Sequence, residues 1–351
     1  MTHMSMFEIT LAEAKVRAIR AMEVGLVPLF KSAPGLGKSS MAKEIAQEFG
    51  LKLIDLRLSQ MQDVDFMGIP FRDGDTAKFL HFNELFPIVG TPIPEGYNGW
   101  LILLDEITSM TRSVEAACYK LILDRMVGSM HLHESVYMMA AGNRESDKAV
   151  ARKLGTALQS RVIHYTIRAD NKLWLDHAIK SNFDYRVTGF LSYLEDMLHK
   201  FDPDHTDDTF PCPRTWEFVS MLIDGVDTPN LSLPELAGTV GAGAAVQFNE
   251  YIQVYADLPK FSEICAYPTK TIVPTDQATR HAVISMMIAK MTTKNFNDVV
   301  PYVDRLSAEF QVVFYRSLGT KFPELKETKD FIKATRQLTE FLYVPSTAQA
   351  A

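Results

Sequence analysis

The sequence predicts an α/β fold, a five-stranded, mostly parallel sheet built around a phosphate-binding loop and followed by a purely helical region. Three observations carry this. Ser32-Ala33-Pro34-Gly35-Leu36-Gly37-Lys38-Ser39 follows the apolar run Val27-Pro28-Leu29-Phe30 and opens the helix-like Met41-Ala42-Lys43-Glu44-Ile45-Ala46. Trp100-Leu101-Ile102-Leu103-Leu104-Asp105-Glu106 is a continuous apolar run ending in two acids, the signature of a strand buried on both faces. Strand and helix patterns alternate up to about residue 170, and helical patterns alone follow.

Taken in order, apolar Leu11, Ala14, Val16, Ile19 and Met22 recur at helical spacing, so a helix over 8–24 precedes the first strand. After the loop, a helix over 38–49 stops at Gly50, and Leu51-Lys52-Leu53-Ile54-Asp55-Leu56 alternates as a strand does. Residues 60–98 hold Gly68, Pro70, Gly74, Pro87, Gly90, Pro92, Pro94 and Gly96, which reads as irregular, and a loop of that length is usually functional. A striped helix over 108–127 ends at Gly128; His131-Leu132-His133 and Val136-Tyr137-Met138-Met139-Ala140-Ala141 suggest a hairpin leading into a buried strand. A helix over 147–159 and the strand Val162-Ile163-His164-Tyr165-Thr166-Ile167 complete the alternating part. Helices are then expected at 171–182, 185–201, 213–224, 233–257, 275–291, 297–317 and 328–342, with domain boundaries near 170 and 260.

The 351-residue length is enough for two or three domains, and 47% apolar with 23% charged residues is the composition of a soluble globular chain. The net charge of −7 argues against a surface that grips nucleic acid throughout. Cys118, Cys212 and Cys265 are too few and too scattered for a disulfide framework and read as reduced thiols. No signal-peptide pattern opens the sequence and no apolar run reaches bilayer length, so the expected location is the cytoplasm.

The chemistry starts at the loop. Glycines at 35 and 37 let the backbone curl around an anion, Lys38 is placed to reach β- and γ-phosphates, and Ser39 offers a hydroxyl to Mg²⁺. Ser32 stands where the usual pattern has its first glycine. An acidic pair at the end of a buried strand supplies what a Mg·ATP hydrolase needs: Asp105 for the metal and Glu106 to polarise the attacking water.

With these motifs in this order, the chain resembles the AAA+ ATPases and, within them, the MoxR-like group. The carriers are SAPGLGKSS as the Walker A loop, WLILLDE as Walker B, MMAAGN as the sensor-1 strand, ALQSRVIHYTI and CPRTWEF. DVDFMGIPFRDGDTAKFLHF looks like that group's helix-2 insert, and DRMVGSMHLHESV like its hairpin before sensor 1. The resemblance covers roughly residues 10–250. It implies an AAA+ core over 1–170, an α-helical lid over 171–260 and a C-terminal helical extension over 261–351. It also implies that Pro34, Gly35, Leu36, Gly37, Lys38, Ser39 and Ser40 hold ATP, that Ser39 and Asp105 hold Mg²⁺, and that Glu106 is catalytic. Asn143 would act on the γ-phosphate or attacking water, Arg161 on a neighbouring subunit's site, and Arg214 as a nucleotide sensor in the lid. On its own residues Asn143 reads first as a turn residue, while Arg161 has an alternative as a helix-end cation and Arg214 as a solvent residue behind Pro213.

The implied function is an ATP-hydrolysing homo-oligomeric ring, a hexamer in the family, that remodels a protein client together with a von Willebrand factor A domain partner. The alternatives are a nucleic-acid-associated AAA+ motor or nuclease subunit, which the acidic balance disfavours, and a nucleotide-binding scaffold that hardly turns over. His131 and His133 share a side of a strand, yet no third metal ligand accompanies them. Asp304-Arg305-Leu306-Ser307-Ala308-Glu309-Phe310 reads as part of an apolar-striped helix with an assembly role.

Overall fold

The computed structural model describes residues 7–147, 152–204 and 207–338. The chain divides into two compact units, Met1–Ala169 with Asp202–Asp204, and Asp170–Phe201 with His205–Ala351.

The first unit opens with strand β1 (Glu8–Ile9) and helix α1 (Leu11–Glu23). A capping box starts α1: Thr10 Oγ1 accepts the Glu13 N–H and Glu13 Oε2 accepts the Thr10 N–H at 2.8 Å. There follow β2 (Val27–Ser32), α2 (Lys38–Glu48), β3 (Leu51–Arg57), α3 (Asp63–Met67) and the hairpin β4 (Ile69–Asp73) and β5 (Thr76–Leu80). Next come β6 (Gly99–Asp105), α4 (Arg112–Asp124), the short hairpin β7 (Met126–Val127) and β8 (Met130–His131), β9 (Val136–Asn143), α5 (Thr156–Gln159) and β10 (Val162–Ile167).

Six strands form one sheet in the order β1-β10-β2-β9-β6-β3, with every neighbouring pair parallel. Its two faces explain the apolar runs. Trp100, Ile102 and Leu104 of β6 point into one cluster with Val114, Cys118 and Leu121 of α4. Leu101 and Leu103 point into the other, with Ala14 and Ala18 of α1 and Met41 and Ile45 of α2. A strand covered on both faces cannot alternate apolar with polar residues, which is why β6 reads as unbroken.

The α/β reading holds, with one strand more than expected. Glu8–Ile9 lies at the sheet edge beside Thr166 and Ile167 of β10, so the first helix begins at Leu11 and not at residue 8. The 60–98 stretch, read as irregular, contains α3 and a regular hairpin around Gly74 at φ 63°. The expected 108–127 helix ends at Asp124, because Arg125 adopts a left-handed φ of 52° and the next two residues enter the short hairpin. Of the helix expected over 147–159, residues 148–151 lie outside the described residues, and α5 accounts for its last turn.

The second unit is helical: α6 (Asn171–Lys180), α7 (Tyr185–Tyr193), α8 (Pro213–Ile223), α9 (Leu233–Val240), α10 (Ala242–Ile252) and α11 (Phe261–Ala266). It continues with α12 (Gln277–Lys290), α13 (Phe296–Val303), α14 (Ala308–Lys321) and α15 (Lys329–Thr335). Two apolar clusters fill it. One is built on Phe190, Trp216 and Phe248; the other on Met287, Tyr302, Phe314 and Tyr315. The single helix expected over 233–257 is split by Gly241 at φ 85° into α9 and α10. Of the 304–310 stretch, residues 304–307 form the break between α13 and α14, with Ser307 capping α14, and Ala308–Phe310 are that helix's first turn. Residues 339–342 of the last expected helix lie outside the described residues. Among the described residues no helix is long and apolar enough to cross a membrane.

Candidate active site

Parallel strands deliver their last residues to one edge of the sheet, and the order β2-β9-β6-β3 puts four chain segments side by side there. β2 ends at Ser32, in register with Asn143 at the end of β9. Asp105, the last residue of β6, is in register with Arg57, the last of β3.

The loop between β2 and α2 turns on two glycines, Gly35 at φ 80° and Gly37 at φ 84°. Both angles are strained for any residue with a Cβ. Gly37 caps α2 and offers no side-chain hydrogen bond to the N–H groups that open this helix. They are an anion site by geometry and by dipole. Lys38 is buried, 8% exposed, and its ammonium rests on protein oxygens. It donates to Ser32 Oγ at 2.7 Å, to the Ser32 and Ala33 carbonyls at 3.5 Å each, and to Asn143 Oδ1 at 3.4 Å. Ser32, in the place of the customary glycine, is therefore a direct partner of the lysine; it is fully buried and its hydroxyl donates to the Ala33 carbonyl at 2.8 Å.

Ser39 Oγ donates to Asp105 Oδ2 at 2.8 Å, and the other carboxylate oxygen takes the Glu106 N–H at 2.8 Å. A hydroxyl and a carboxylate held together beside a helix N-terminus are hard oxygen donors that fit Mg²⁺. Glu106 itself adopts a left-handed backbone, φ 56° and ψ 30°, an uncommon conformation for a residue with a side chain and a mark of functional sites. That turn swings its carboxylate toward the end of β3, where Ser59 donates a hydrogen bond to Glu106 Oε2. Asp55 lies two residues before Arg57 on the same face of β3. Its carboxyl is pushed up from the usual range by burial first and then by the charge of Asp105.

Asn143 is held by its backbone: its N–H donates to Thr108 Oγ1 at 3.0 Å, and Thr108 is fully buried. A Cβ on Gly142 would come within 2.8 Å of the Thr108 methyl, so β9 and the segment after Glu106 are in close contact. Lys38, Ser39, Asp105, Glu106 and Asn143 thus form one constellation. Ser59, Thr108 and Asp55 are additions that the sequence reading missed. Ser59 and Thr108 are separated in sequence from their partners by the fold, and only the sheet order reveals them.

Arg161 lies elsewhere. It precedes Val162, which is in register with Val27 at the start of β2, so roughly 16 Å of strand separates it from the loop. Its Nη1 donates to the Ala157 carbonyl at 2.7 Å and its guanidinium lies 5.7 Å from the centroid of the Tyr119 ring. Arg214 belongs to the second unit, exposed in the first turn of α8 behind Pro213. His131 is exposed; the His133 ring packs edge-on against Trp100 and its Nδ1 accepts the Ser135 N–H at 3.0 Å. Among the described residues no group of three or more His, Cys, Asp or Glu is placed to hold a metal.

Residues 28–164 match the family described as "ATPase family associated with various cellular activities (AAA)". The chain is similar to NtrX from Brucella abortus in complex with ADP, at 13% identity over 95% of this chain and 68% of that one, with a TM-score of 0.40. It is also similar to a point mutant of RuvB from Thermotoga maritima, at 14% identity over 94% and 89% of the two chains, with a TM-score of 0.36. The matched segment holds the loop, both acids and Asn143, and runs as far as β10.

Proposed function

We propose that this chain is the subunit of a homo-oligomeric ring, of MoxR-like type and hexameric, that hydrolyses ATP to remodel a protein client. The observation that carries the reading is the division of the site. Lys38, Ser39, Asp105, Glu106 and Asn143 converge at the carboxyl edge of the sheet, while Arg161 stands at the opposite edge. An arginine in that position cannot serve its own loop and is suited to a neighbour's.

In this mechanism, Pro34–Ser40 cradles the phosphates with backbone N–H groups, and Lys38 exchanges Ser32 Oγ for phosphate oxygens. Ser39 and Asp105 would hold Mg²⁺, which neutralises charge on the β- and γ-phosphates when bound. Glu106 leaves the Ser59 hydroxyl and accepts a hydrogen bond from the attacking water, orienting it in line. The Asn143 amide donates to the γ-phosphate or that water, and Arg161 of a neighbouring copy stabilises the transition-state charge, which makes turnover depend on assembly.

The exposed apolar residues Ile69, Phe71, Phe79 and Leu80 of the β4–β5 hairpin support its role as a client-facing insert. The reading takes 171–260 as the lid, with Arg214 as its nucleotide sensor, and 261–351 as an extension for a partner such as a von Willebrand factor A domain protein. The three free cysteines, scattered along the chain, fit the cytoplasm as its location. Light scattering of Glu106→Gln with and without Mg·ATP tests the assembly. A nucleotide-dependent ring that retains a client protein supports the proposal, and a monomer under all conditions overturns it.

A further inference from the structure

Arg161 differs from Arg144 and Arg152 of the first unit in how it is held. Arg144 pairs with Glu8 at 3.1 Å and donates to the Ile167 carbonyl, and Arg152 pairs with Glu115 at 2.8 Å. Among the described residues no carboxylate pairs with Arg161. One N–H goes to the Ala157 carbonyl, Nε is buried without a hydrogen-bond partner, and the guanidinium carbon lies over the Tyr119 ring, 5.7 Å from its centroid. An aromatic face orients a guanidinium and leaves its charge uncompensated, whereas a carboxylate would neutralise it and compete with any incoming anion.

The platform is built on one face of α4. Glu115 and Tyr119 are one helical turn apart. Glu115 accepts the Gly155 N–H and pairs with Arg152, which anchors the start of the turn carrying Arg161. The Tyr119 hydroxyl abuts the same turn, since a Cβ on Gly155 would lie 2.8 Å from it. Tyr119 is itself partly buried against the core of the sheet, so its ring direction is set by packing.

We propose that Tyr119 is a positioning residue for Arg161: its ring carries the guanidinium, free of any carboxylate, in readiness for the phosphate charge at a neighbouring copy's site. This rests on the reading that Arg161 acts in trans. Tyr119→Leu removes the aromatic face and Tyr119→Phe keeps it. Tyr119→Leu should therefore lower kcat by roughly 3- to 30-fold, the span of an arginine–aromatic contact between exposed and desolvated settings, while Tyr119→Phe keeps most turnover.

The deciding experiment mixes full-length subunits. Lys38→Ala disables its own loop but keeps its arginine; Tyr119→Leu keeps its loop but has a misplaced arginine. Mixing the two should give ATP turnover several-fold above the sum of the separate proteins, and Arg161→Ala mixed with Lys38→Ala should do the same. Calorimetric Mg·ADP binding by Tyr119→Leu should match wild type. If the Arg161→Ala mixture complements and the Tyr119→Leu mixture does not, or if Tyr119→Leu loses Mg·ADP binding, Tyr119 is a structural residue and the proposal is wrong. Wild-type turnover by Tyr119→Leu overturns it as well. If the Arg161→Ala mixture fails, the trans reading falls, and this inference with it.

Discussion

Replacing Ser32 with alanine tests how the lysine is held before nucleotide arrives. Ser32 is fully buried, and among the described residues its Oγ accepts from the Lys38 ammonium at 2.7 Å, closer than the three other described acceptors at 3.4–3.5 Å. A hydrogen bond to a charged group contributes about 1.5–3 kcal/mol, and the remaining acceptors recover part of it, so the nucleotide-free protein should lose about 1–2 kcal/mol. For a unit of this size that lowers Tm by about 3–6 °C. In the bound state Lys38 has already turned to phosphate, and most of the loss disappears. The cycle then requires Ser32→Ala to bind Mg·ADP more tightly, by about fivefold for ~1 kcal/mol of relieved competition. Thermal denaturation with and without saturating Mg·ADP, together with calorimetric titration, measures each leg. An equal Tm loss in both states, or weaker binding, would refute the argument.

Thr108→Val keeps the shape but leaves the Asn143 N–H without its acceptor; stability should fall by about 1–2 kcal/mol in chemical denaturation and kcat should drop while Mg·ADP affinity holds. Asp55→Asn should raise Tm near neutral pH. Burial and Asp105 raise the folded-state pKa of this carboxyl, so its ionised form costs stability. The gain is complete above the raised pKa and should vanish as pH falls below the ordinary carboxylate range, which a Tm series from about pH 7 to about pH 3 reads. Glu13→Gln should do the reverse, because the Thr10 N–H holds the Glu13 carboxyl below its usual range. Its loss of stability should be present at neutral pH and fade as pH falls through that lowered value.

What the sequence showed clearly was what one segment can state alone. The glycine–lysine–serine loop, the two-face burial of β6 and its terminal acids are local patterns, and the sheet lies where they point. β1 escaped because two residues carry no period and their partner strand lies over 150 residues on. The β4–β5 hairpin escaped because all ten of its strand residues are exposed, which removes the apolar alternation; the remaining signal was the Asp73-Gly74 turn. Gly241 and the 304–307 break went unseen because apolar stripes on both sides continue the same spacing. Within the site, Ser59 on Glu106, Thr108 on Asn143 and Tyr119 on Arg161 are pairings made by strand order and by α4 lying against the sheet.

The central claim is that one carboxylate at the end of β6 converts a nucleotide-binding loop into an ATPase. Steady-state ATP hydrolysis by wild type and by Glu106→Gln, with ATP binding measured on both, tests it most directly. Removing a group that orients the attacking water should slow turnover by about 100-fold or more, with ATP affinity preserved. Equal turnover by the two proteins, or the absence of turnover in a wild type that still binds ATP, would contradict it.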